Sequence, residues 1–514
     1  QLAAIGLMRA LVVLASCAAL AACAVGPTYR RPAAPTVTSY TAEPSVGRIA
    51  AASSVAGPAA GPQVLVSGAA VSPHWWAGFG SPALDQLVNQ ALAHNPDLSA
   101  AKATLEAAQD EVQAARGAFY PHATLGLGAS RTRSSGAAGG GAFGPSVYNL
   151  YTGEVSVGYN PDVFGATRYT VRSQQALADL ARDRLDAVRL SIAGNVVATA
   201  IDVATLDAEI ATLQRTVGDQ RQVLDLVRQQ YLAGAIARFD VLTQQSLLAS
   251  SQAQLTQLRQ ARDTARHLLA TLVGEFPAAS RGLHSPALAS LELPKRLPLS
   301  LPTSLVRDRP DILAAEAQLR AANAEVGVAI AHMYPSFNIS AAFGFGANLA
   351  SSLFDPASQL WNLAASLAAP LFEGGELRAQ KHAAQADYRR VFANYQATVL
   401  GAFRNVADVL RALEHDSAFL ESRANAMRAA HQALTLVTAQ YRAGGVDYLD
   451  LLDSQTRFQK GQIAYVKAQA QRYADTAALY VALGGGQWTD SAAGSPPTGR
   501  VAVADTAAPA HSPH

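Results

Sequence analysis

The chain contains an internal duplication, and this duplication limits the folds that the chain can adopt. Residues 94–128 read HNPDLSAAKATLEAAQDEVQAARGAFYPHATLGLG, and residues 308–344 read DRPDILAAEAQLRAANAEVGVAIAHMYPSFNISAAFG. A second match joins QQYLAGAIARFDVL (229–242) to AQYRAGGVDYLDLL (439–452). The offset is 214 positions in the first match and 210 in the second, so few insertions separate the copies. Each half is therefore predicted to contain one helix, a pair of strands and then two long helices.

The long helices are predicted from apolar residues that recur at helical spacing. Between Arg168 and Tyr231 the mean step between apolar positions is about 3.6 residues, which predicts a nearly straight helix rather than a strict heptad coil. At 1.5 Å per residue such a helix reaches about 95 Å. The stretch from Leu377 to Tyr441 repeats the pattern. A cytosolic coiled-coil rod would explain these helices equally well.

Four segments alternate between apolar and polar residues with a period of two, which predicts strands at about 119–132, 149–162, 335–347 and 359–370. The alternation itself covers 123–130, 151–160, 337–346 and 361–370, each about the nine to eleven residues that a tilted membrane strand needs. Apolar residues alternating with polar ones are typical of a lipid-facing barrel. A half-buried soluble sheet gives the same alternation. The connections at 131–146 and 347–358 are rich in Gly, Ala and Ser and suit exposed loops.

Four strands per chain are too few to close a barrel, since even small barrels take about eight. An open sheet edge in lipid leaves backbone groups unpaired at several kcal/mol each. We therefore predict an α+β membrane protein that oligomerises, and three copies would supply twelve strands.

The N-terminus is predicted to be a targeting segment. A basic residue, a short apolar run and small residues precede Cys23 in MRALVVLASCAALAAC. LAAC has the form of a bacterial lipobox, which predicts a signal peptide at 1–22 and lipid on Cys23. Cys17 and an ordinary secretory signal are the alternatives.

The remaining organisation follows from composition and from the duplication. We predict a lipidated extended tether at 23–72, a first repeat at 73–300 with its tip at about 231–240, and a second repeat at 301–488 with its tip at about 441–450. The residues from 489 to 514 have the composition of a disordered tail.

The stretch YRAGGVDYLDLLD at 441–453 places Asp447, Asp450 and Asp453 at intervals of three. Acid in the first turn of a helix favours its positive pole by about 0.3–1 kcal/mol, and this alone would explain Asp450 and its repeat counterpart Asp240. On one helix face around a threefold axis, however, the three carboxylates would form a negative ring that favours cations. A divalent ion held across the axis is a further alternative.

Other classes of function find little support in the composition. The net charge of +2 gives no reason to expect a nucleic-acid partner, and 50% hydrophobic residues argue against a disordered chain. Both cysteines precede residue 25, so the body has no disulfide or cysteine metal site. No catalytic constellation and no phosphate-binding loop recur, so we expect neither an enzyme nor a cofactor or metal.

Taken together, these stretches resemble the outer membrane factor family, the TolC-like channels, and in particular its lipoprotein branch with NodT and OprM. The resemblance covers roughly residues 20 to 487. Its motifs are CAVGPTYRRP after the lipobox, WWAGFGSPALDQLVNQALAHNPDL (75–98), the two Pro-Asp…Tyr-Pro blocks, PLFEGGELRAQ (370–380) and YRAGGVDYLDLLDSQ (441–455).

The resemblance implies a homotrimer in the bacterial outer membrane that extends into the periplasm, with a twelve-stranded β-barrel above a long periplasmic α-helical barrel. It implies a passive exit duct for drugs or other small molecules, working with a periplasmic adaptor and a proton-driven or ABC exporter of the inner membrane. The lipid on Cys23 would be a diacylglycerol thioether with an N-acyl chain. The alternative is a periplasmic coiled-coil lipoprotein that acts as a spacer or scaffold.

The resemblance also assigns roles at the tip. Acids at the positions of Asp450 and Asp453 form aperture rings in the family, and the Tyr441 hydroxyl would bond Asp240 to latch the gate. TolC carries an arginine where this chain has Val446, so Arg442, Arg457 or Arg238 is expected to take its place.

Overall fold

A computed structural model of the chain describes residues 25–43, 47–55, 57–134, 146–486 and 488. The predicted signal peptide, Cys17, Cys23 and the tail at 489–514 lie outside the described residues, as does the part of the first loop at 135–145.

The helices and strands repeat in the order that the duplication predicts. The strands are β1 (Arg48–Ile49), β2 (Gln63–Ser67), β3 (His122–Ser134), β4 (Ser146–Tyr159), β5 (Arg296–Leu299), β6 (Ser336–Ala347) and β7 (Gln359–Ala368). The α-helices are α1 (Pro82–His94), α2 (Pro96–Gly117), α3 (Ala166–Leu232), α4 (Arg238–Leu272), α5 (Pro302–Asp308), α6 (Pro310–Ala331), α7 (Glu376–Arg442) and α8 (Tyr448–Ala482). Short 3₁₀ turns lie at Pro58–Ala60, Trp75–Phe79, Pro277–Gly282, Leu288–Ser290, Ala350–Ser352 and Pro356–Ser358.

The four strands of the two repeats form one antiparallel sheet in the order β3-β4-β6-β7. One row of paired residues crosses the whole sheet and is apolar and exposed, at Leu125 (70%), Val155 (46%), Phe343 (49%) and Trp361 (75%). The next row, on the opposite face, is Thr124, Ser156, Ala342 and Asn362. One apolar and one more polar face is the pattern of a membrane barrel wall, and β3 and β7 form the two edges of this sheet.

The long helices fold back on their neighbours to make two hairpins. Helices α3 and α7 have 67 residues each, which corresponds to about 100 Å at 1.5 Å per residue. Helix α3 pairs with α4 and α7 pairs with α8, while α3 and α8 join the two hairpins. Each turn contains a glycine with positive φ, Gly234 at 75° and Gly444 at 74°, a conformation that glycine adopts without steric cost. Among the described helices, none is both long enough and apolar enough to cross a membrane.

The main core lies where the short helices and the N-terminal segment meet the middle of the long helices. Trp76 and Phe79 are fully buried there, and Tyr473 of α8 is 1% exposed. The Trp76 indole donates to Asp85 at 2.8 Å, so the polar edge of this buried ring is satisfied.

The prediction of an extended tether at 23–72 is wrong for much of this segment. Strand β2 pairs in parallel with β5 and antiparallel with β1, and Ile49 and Leu65 are buried in the main core. The Arg472 guanidinium of α8, itself 0% exposed, donates to the carbonyls of Ala59 at 2.6 Å and Gly61 at 2.7 Å. These contacts attach the segment to the helices, because they satisfy backbone groups that burial would otherwise leave unpaired.

We expect Arg472→Met to release this segment. The substitution removes the donors from the carbonyls of buried Ala59 and partly buried Gly61, at a cost of about 2–5 kcal/mol in the free energy of docking. Limited proteolysis should then cut within residues 47–67 at least tenfold faster than in the wild type. The exposed Arg221 of α3 provides the control, since Arg221→Met should leave the cleavage rate unchanged. Equal rates for Arg472→Met and the wild type would contradict the anchoring role.

Candidate functional site

The tip of the second hairpin carries the three acids singled out from the sequence, and the structure gives each a different environment. Asp447 is the N-cap of α8, and its carboxylate accepts from the Asp450 amide at 3.0 Å. Asp450 is exposed in the first helical turn, where the positive pole stabilises its charge. Asp453 is exposed and forms an ion pair with Arg457 one turn further on. Asp450 therefore carries the carboxylate least engaged by its own helix.

The first hairpin differs from the second at the same positions. Asp240 lies in the first turn of α4, as Asp450 does in α8. Ala237 precedes α4 and provides no side-chain cap, whereas the equivalent Asp447 caps α8. In the described part of the chain, no three His, Cys, Asp or Glu side chains cluster closely enough to hold a metal ion.

The predicted hydrogen bond from Tyr441 to Asp240 is wrong in this chain. The Tyr441 hydroxyl donates instead to Gln230 Oε1 at 2.8 Å, because the last turn of α3 directs this glutamine towards α7. Asp240 remains close enough for its charge to act. Burial first, and the Asp240 charge second, raise the pKa of Tyr441. Tyr441 therefore stays a neutral hydrogen-bond donor at physiological pH.

A second tyrosine, Tyr448, completes the contact between the hairpins. Its ring meets the Tyr441 ring edge-on, with centroids 6.1 Å apart, and its hydroxyl bonds Gln244 of α4. Burial, then the neighbouring Tyr441 and Asp240, raise the pKa of Tyr448. The two rings belong to a small apolar cluster that joins the hairpins, with Leu224, Val227, Val241 and Leu451.

Further from the tip, amide side chains continue the contact between the hairpins. Gln220 of α3 donates to Gln459 of α8 at 3.3 Å, and Gln459 donates to Gln254 of α4 at 3.2 Å. Gln220 is 2% exposed, and Gln244 is fully buried. The side-chain amide of Gln244 donates to the backbone carbonyl of Gln220 at 3.0 Å. The sequence analysis missed this amide ladder, since glutamine on a long helix usually indicates a solvated face.

The other predicted latch residues lie at the tip without joining this cluster. Arg442 is exposed at the last residue of α7, and Arg457 pairs with Asp453 rather than with the opposite hairpin. The latch role of Tyr441, Asp240, Arg442 and Arg457 stays a prediction, as does the lipidation of Cys23.

The structure combines a four-stranded sheet that has an apolar face, two long helical hairpins and a pair of packed tyrosines at the tip. Known proteins share this fold. Residues 87–275 and 301–485 match the family described as "Outer membrane efflux protein". The chain belongs to this family. One matched stretch lies within each of the two repeats.

Individual relatives and solved structures agree with this assignment. The pyoverdine export outer membrane protein OpmQ of Pseudomonas putida is 32% identical over 81% of this chain and 89% of its own length. The outer-membrane channel OprN superposes with a TM-score of 0.79 at 28% identity, over 90% of this chain and 99% of its own. VceC of Vibrio cholerae gives a TM-score of 0.75 at 27% identity, over 81% and 99% of the two chains.

These comparisons confirm the resemblance noted from the sequence. The chain has the subunit fold of the outer-membrane efflux channels, and its function is that of an outer-membrane exit duct. The alternative of a spacer lipoprotein leaves the four-stranded sheet unexplained.

We expect Tyr441→Phe to loosen the tip. The change removes one hydrogen bond between the hairpins, worth about 0.5–1.5 kcal/mol, while it keeps the buried ring. The open probability of single channels in planar bilayers should rise about twofold to tenfold. Tyr334→Phe, near the base of the sheet, is the matched control and should behave as the wild type. A Tyr441→Phe channel with wild-type open probability would show that this bond does not restrain the tip.

Proposed function

We propose that three copies of this chain form one continuous channel through the outer membrane and into the periplasm. The sheets close into a twelve-stranded barrel, and the hairpins close into a helical barrel whose tip is the gate. The channel is the passive exit duct of a tripartite system. A periplasmic adaptor and a proton-driven or ABC exporter of the inner membrane deliver drugs or other small molecules to it.

The observation that carries this proposal is the unequal burial of equivalent helices. Helices α2 and α6 have 22 residues each and occupy the same place in the two repeats. Twelve residues of α6 are buried, because α6 packs on both α3 and α7. Only Leu98 and Val112 of α2 are buried, and α2 packs on α3. Helix α2 thus lacks the second partner that its counterpart has.

The long helices differ in the complementary way. Helix α3 contacts α6 and α8 in addition to its hairpin partner α4, and 26 of its residues are buried. Helix α7 has the same length, but only 12 of its residues are buried. Within the chain, α6 and α8 of the second repeat pack on α3 of the first. If adjacent subunits repeat this arrangement around an axis, α2 and α4 of one subunit pack on α7 of the next. The same step places edge β3 beside edge β7, which pairs the backbone groups that a membrane cannot solvate.

Ala103→Arg on α2 should prevent trimer formation. Ala103 is exposed in the single chain, but its equivalent Ala317 is fully buried and packs against Leu180 of α3. An arginine there would be forced into a packed interface without a partner. On an unheated detergent gel we expect the trimer band to fall at least tenfold.

Glu111→Arg is the matched control for this substitution. Glu111 and its equivalent Glu325 are both exposed, so the position should face water in the trimer as well. Normal trimer from Ala103→Arg would refute the proposed contact of α2 with α7, provided that the Glu111→Arg protein is also trimeric.

Three copies of the second tip would place a ring of acids at the narrow end of the channel. Arg457 offsets the charge of Asp453, and Asp447 is engaged by the start of α8, so we assign most of the negative field to Asp450. Such a ring raises the local concentration of cations. Tyr441, Asp240, Arg442 and Arg457 are proposed to hold this end closed.

We expect Asp450→Ala with Asp453→Ala to reduce cation selectivity, with most of the loss already present in Asp450→Ala alone. The reversal potential in a KCl gradient across a planar bilayer measures this selectivity. Glu275→Ala is the control, since this exposed acid follows the far end of α4, about 50 Å from the tip at 1.5 Å per residue. An unchanged reversal potential in the double variant would overturn the ring.

We propose that Cys23 is lipidated, and the position of Val25, the first residue that the structure describes, supports this. The Val25 amide donates to the Phe164 carbonyl at 3.5 Å, in the segment between β4 and α3 at the base of the sheet. Arg31 then pairs with Glu316 of α6 at 2.6 Å. Cys23 precedes Val25 by two residues, so acyl chains on its thiol and amine would enter the membrane leaflet beside the barrel.

A further inference from the structure

The contact of Tyr441 with the first hairpin involves its aromatic side chain and three residues of α3. Its ring belongs to the cluster that contains Leu224 and Val227 of α3, and its hydroxyl donates to Gln230 at the end of the same helix. These three residues, Leu224, Val227 and Gln230, are called the α3 nest below. Tyr441 is 7% exposed and Val227 is fully buried, so this contact is complete within one chain.

The internal repeat contains the same parts a second time. At an offset of 210 positions, Leu434, Val437 and Gln440 of α7 stand where α3 has its nest, and they are called the α7 nest. Tyr231 stands where the second repeat has Tyr441. All four residue types are retained, which a solvated helix surface would not require.

The second set of parts does not meet within one chain. Tyr231 is 41% exposed, and the adjacent Leu232 is 83% exposed. Leu434 and Val437 pack with one side against the Tyr441 cluster and are only partly buried, and Gln440 is exposed. An exposed tyrosine beside an exposed leucine at the end of a long helix is an unpartnered apolar surface, and the repeat identifies what fits it.

We propose that Tyr231 of each subunit inserts into the α7 nest of the adjacent subunit and donates its hydroxyl to the partner's Gln440. This rests on the trimer proposed above. Within a chain, Tyr441 of the second hairpin packs on α3 of the first. The same arrangement between subunits places Tyr231 of the first hairpin on α7 of the partner's second hairpin. The closed tip then has six equivalent tyrosine contacts, three within subunits and three between them.

The polar contacts of the two kinds of seam differ further from the tip. The amide ladder within a subunit uses Gln220, Gln254 and Gln459. Their equivalents at the seam between subunits are Ala430, Ala464 and Ala249. The seam between subunits thus lacks the ladder, and the contact of Tyr231 with Gln440 has no such amides beside it.

Thiol cross-linking tests the contact, because the body of the chain has no cysteine that would react in the background. The pair Tyr231→Cys with Gln440→Cys, treated with a short bismaleimide in native membranes, should give covalent dimers and trimers on a denaturing gel. The pair Tyr441→Cys with Gln230→Cys calibrates the spacing and should link within one chain, which keeps the monomer mass. Tyr231→Cys with Gln432→Cys, about 12 Å further along α7, should give no covalent dimer.

A second variant keeps an aromatic ring in place, since Tyr231→Cys removes the group that is proposed to insert. Tyr231→benzoylphenylalanine, irradiated in membranes, should link to the partner's α7 within residues 434–440, as read by mass spectrometry of the digest. Links that map elsewhere would overturn this contact. So would the absence of any link between subunits from both variants, provided that the protein still runs as a trimer. Neither result would contradict the proposed trimer. Loss of the trimer in the wild type would overturn the proposed assembly itself.

Discussion

Every backbone amide and carbonyl inside a membrane needs a hydrogen-bond partner from the protein, and this chain cannot supply them all. Its sheet has four strands and ends in two edges, β3 and β7. The apolar row from Leu125 to Trp361 indicates that the sheet faces lipid, where an open edge costs several kcal/mol for each unpaired group. Closure with other subunits removes that cost, and the trimer, the shared helical barrel and the tip follow from the same rotational arrangement.

The duplication places nearly the same sequence in two environments, and the differences between the copies reflect those environments. Helix α6 meets its partners within the chain, and in the proposed assembly α2 meets one of its partners on the adjacent subunit. At the tip, Arg442 replaces Leu232 and Asp447 replaces Ala237, so the second hairpin carries more charge and the first more apolar surface. The amide ladder occurs within the chain, and alanines stand at the equivalent positions of the proposed seam between subunits. The proposed gate is therefore built from two unequal seams.

Much of this architecture could be predicted from periodicity. The helix predicted between Arg168 and Tyr231 is Ala166–Leu232 in the structure, and the strand predicted at 335–347 is Ser336–Ala347. Such patterns extend over many residues, so small local errors do not change the assignment. The sheet of the N-terminal segment could not be predicted, because β2 pairs with β5 more than 200 positions away and each strand is short. The acceptor of Tyr441 was also missed, since the choice between Gln230 and Asp240 depends on how α3 and α7 are rotated about their axes.

The central claim is that one chain is incomplete in lipid and that three chains are complete. Native mass spectrometry of the unmodified protein, released from outer membranes in a mild detergent, counts the chains in each particle directly. We expect three chains per particle, with no folded monomer at concentrations where the channel conducts. A stably folded particle that contains a single chain would contradict the account.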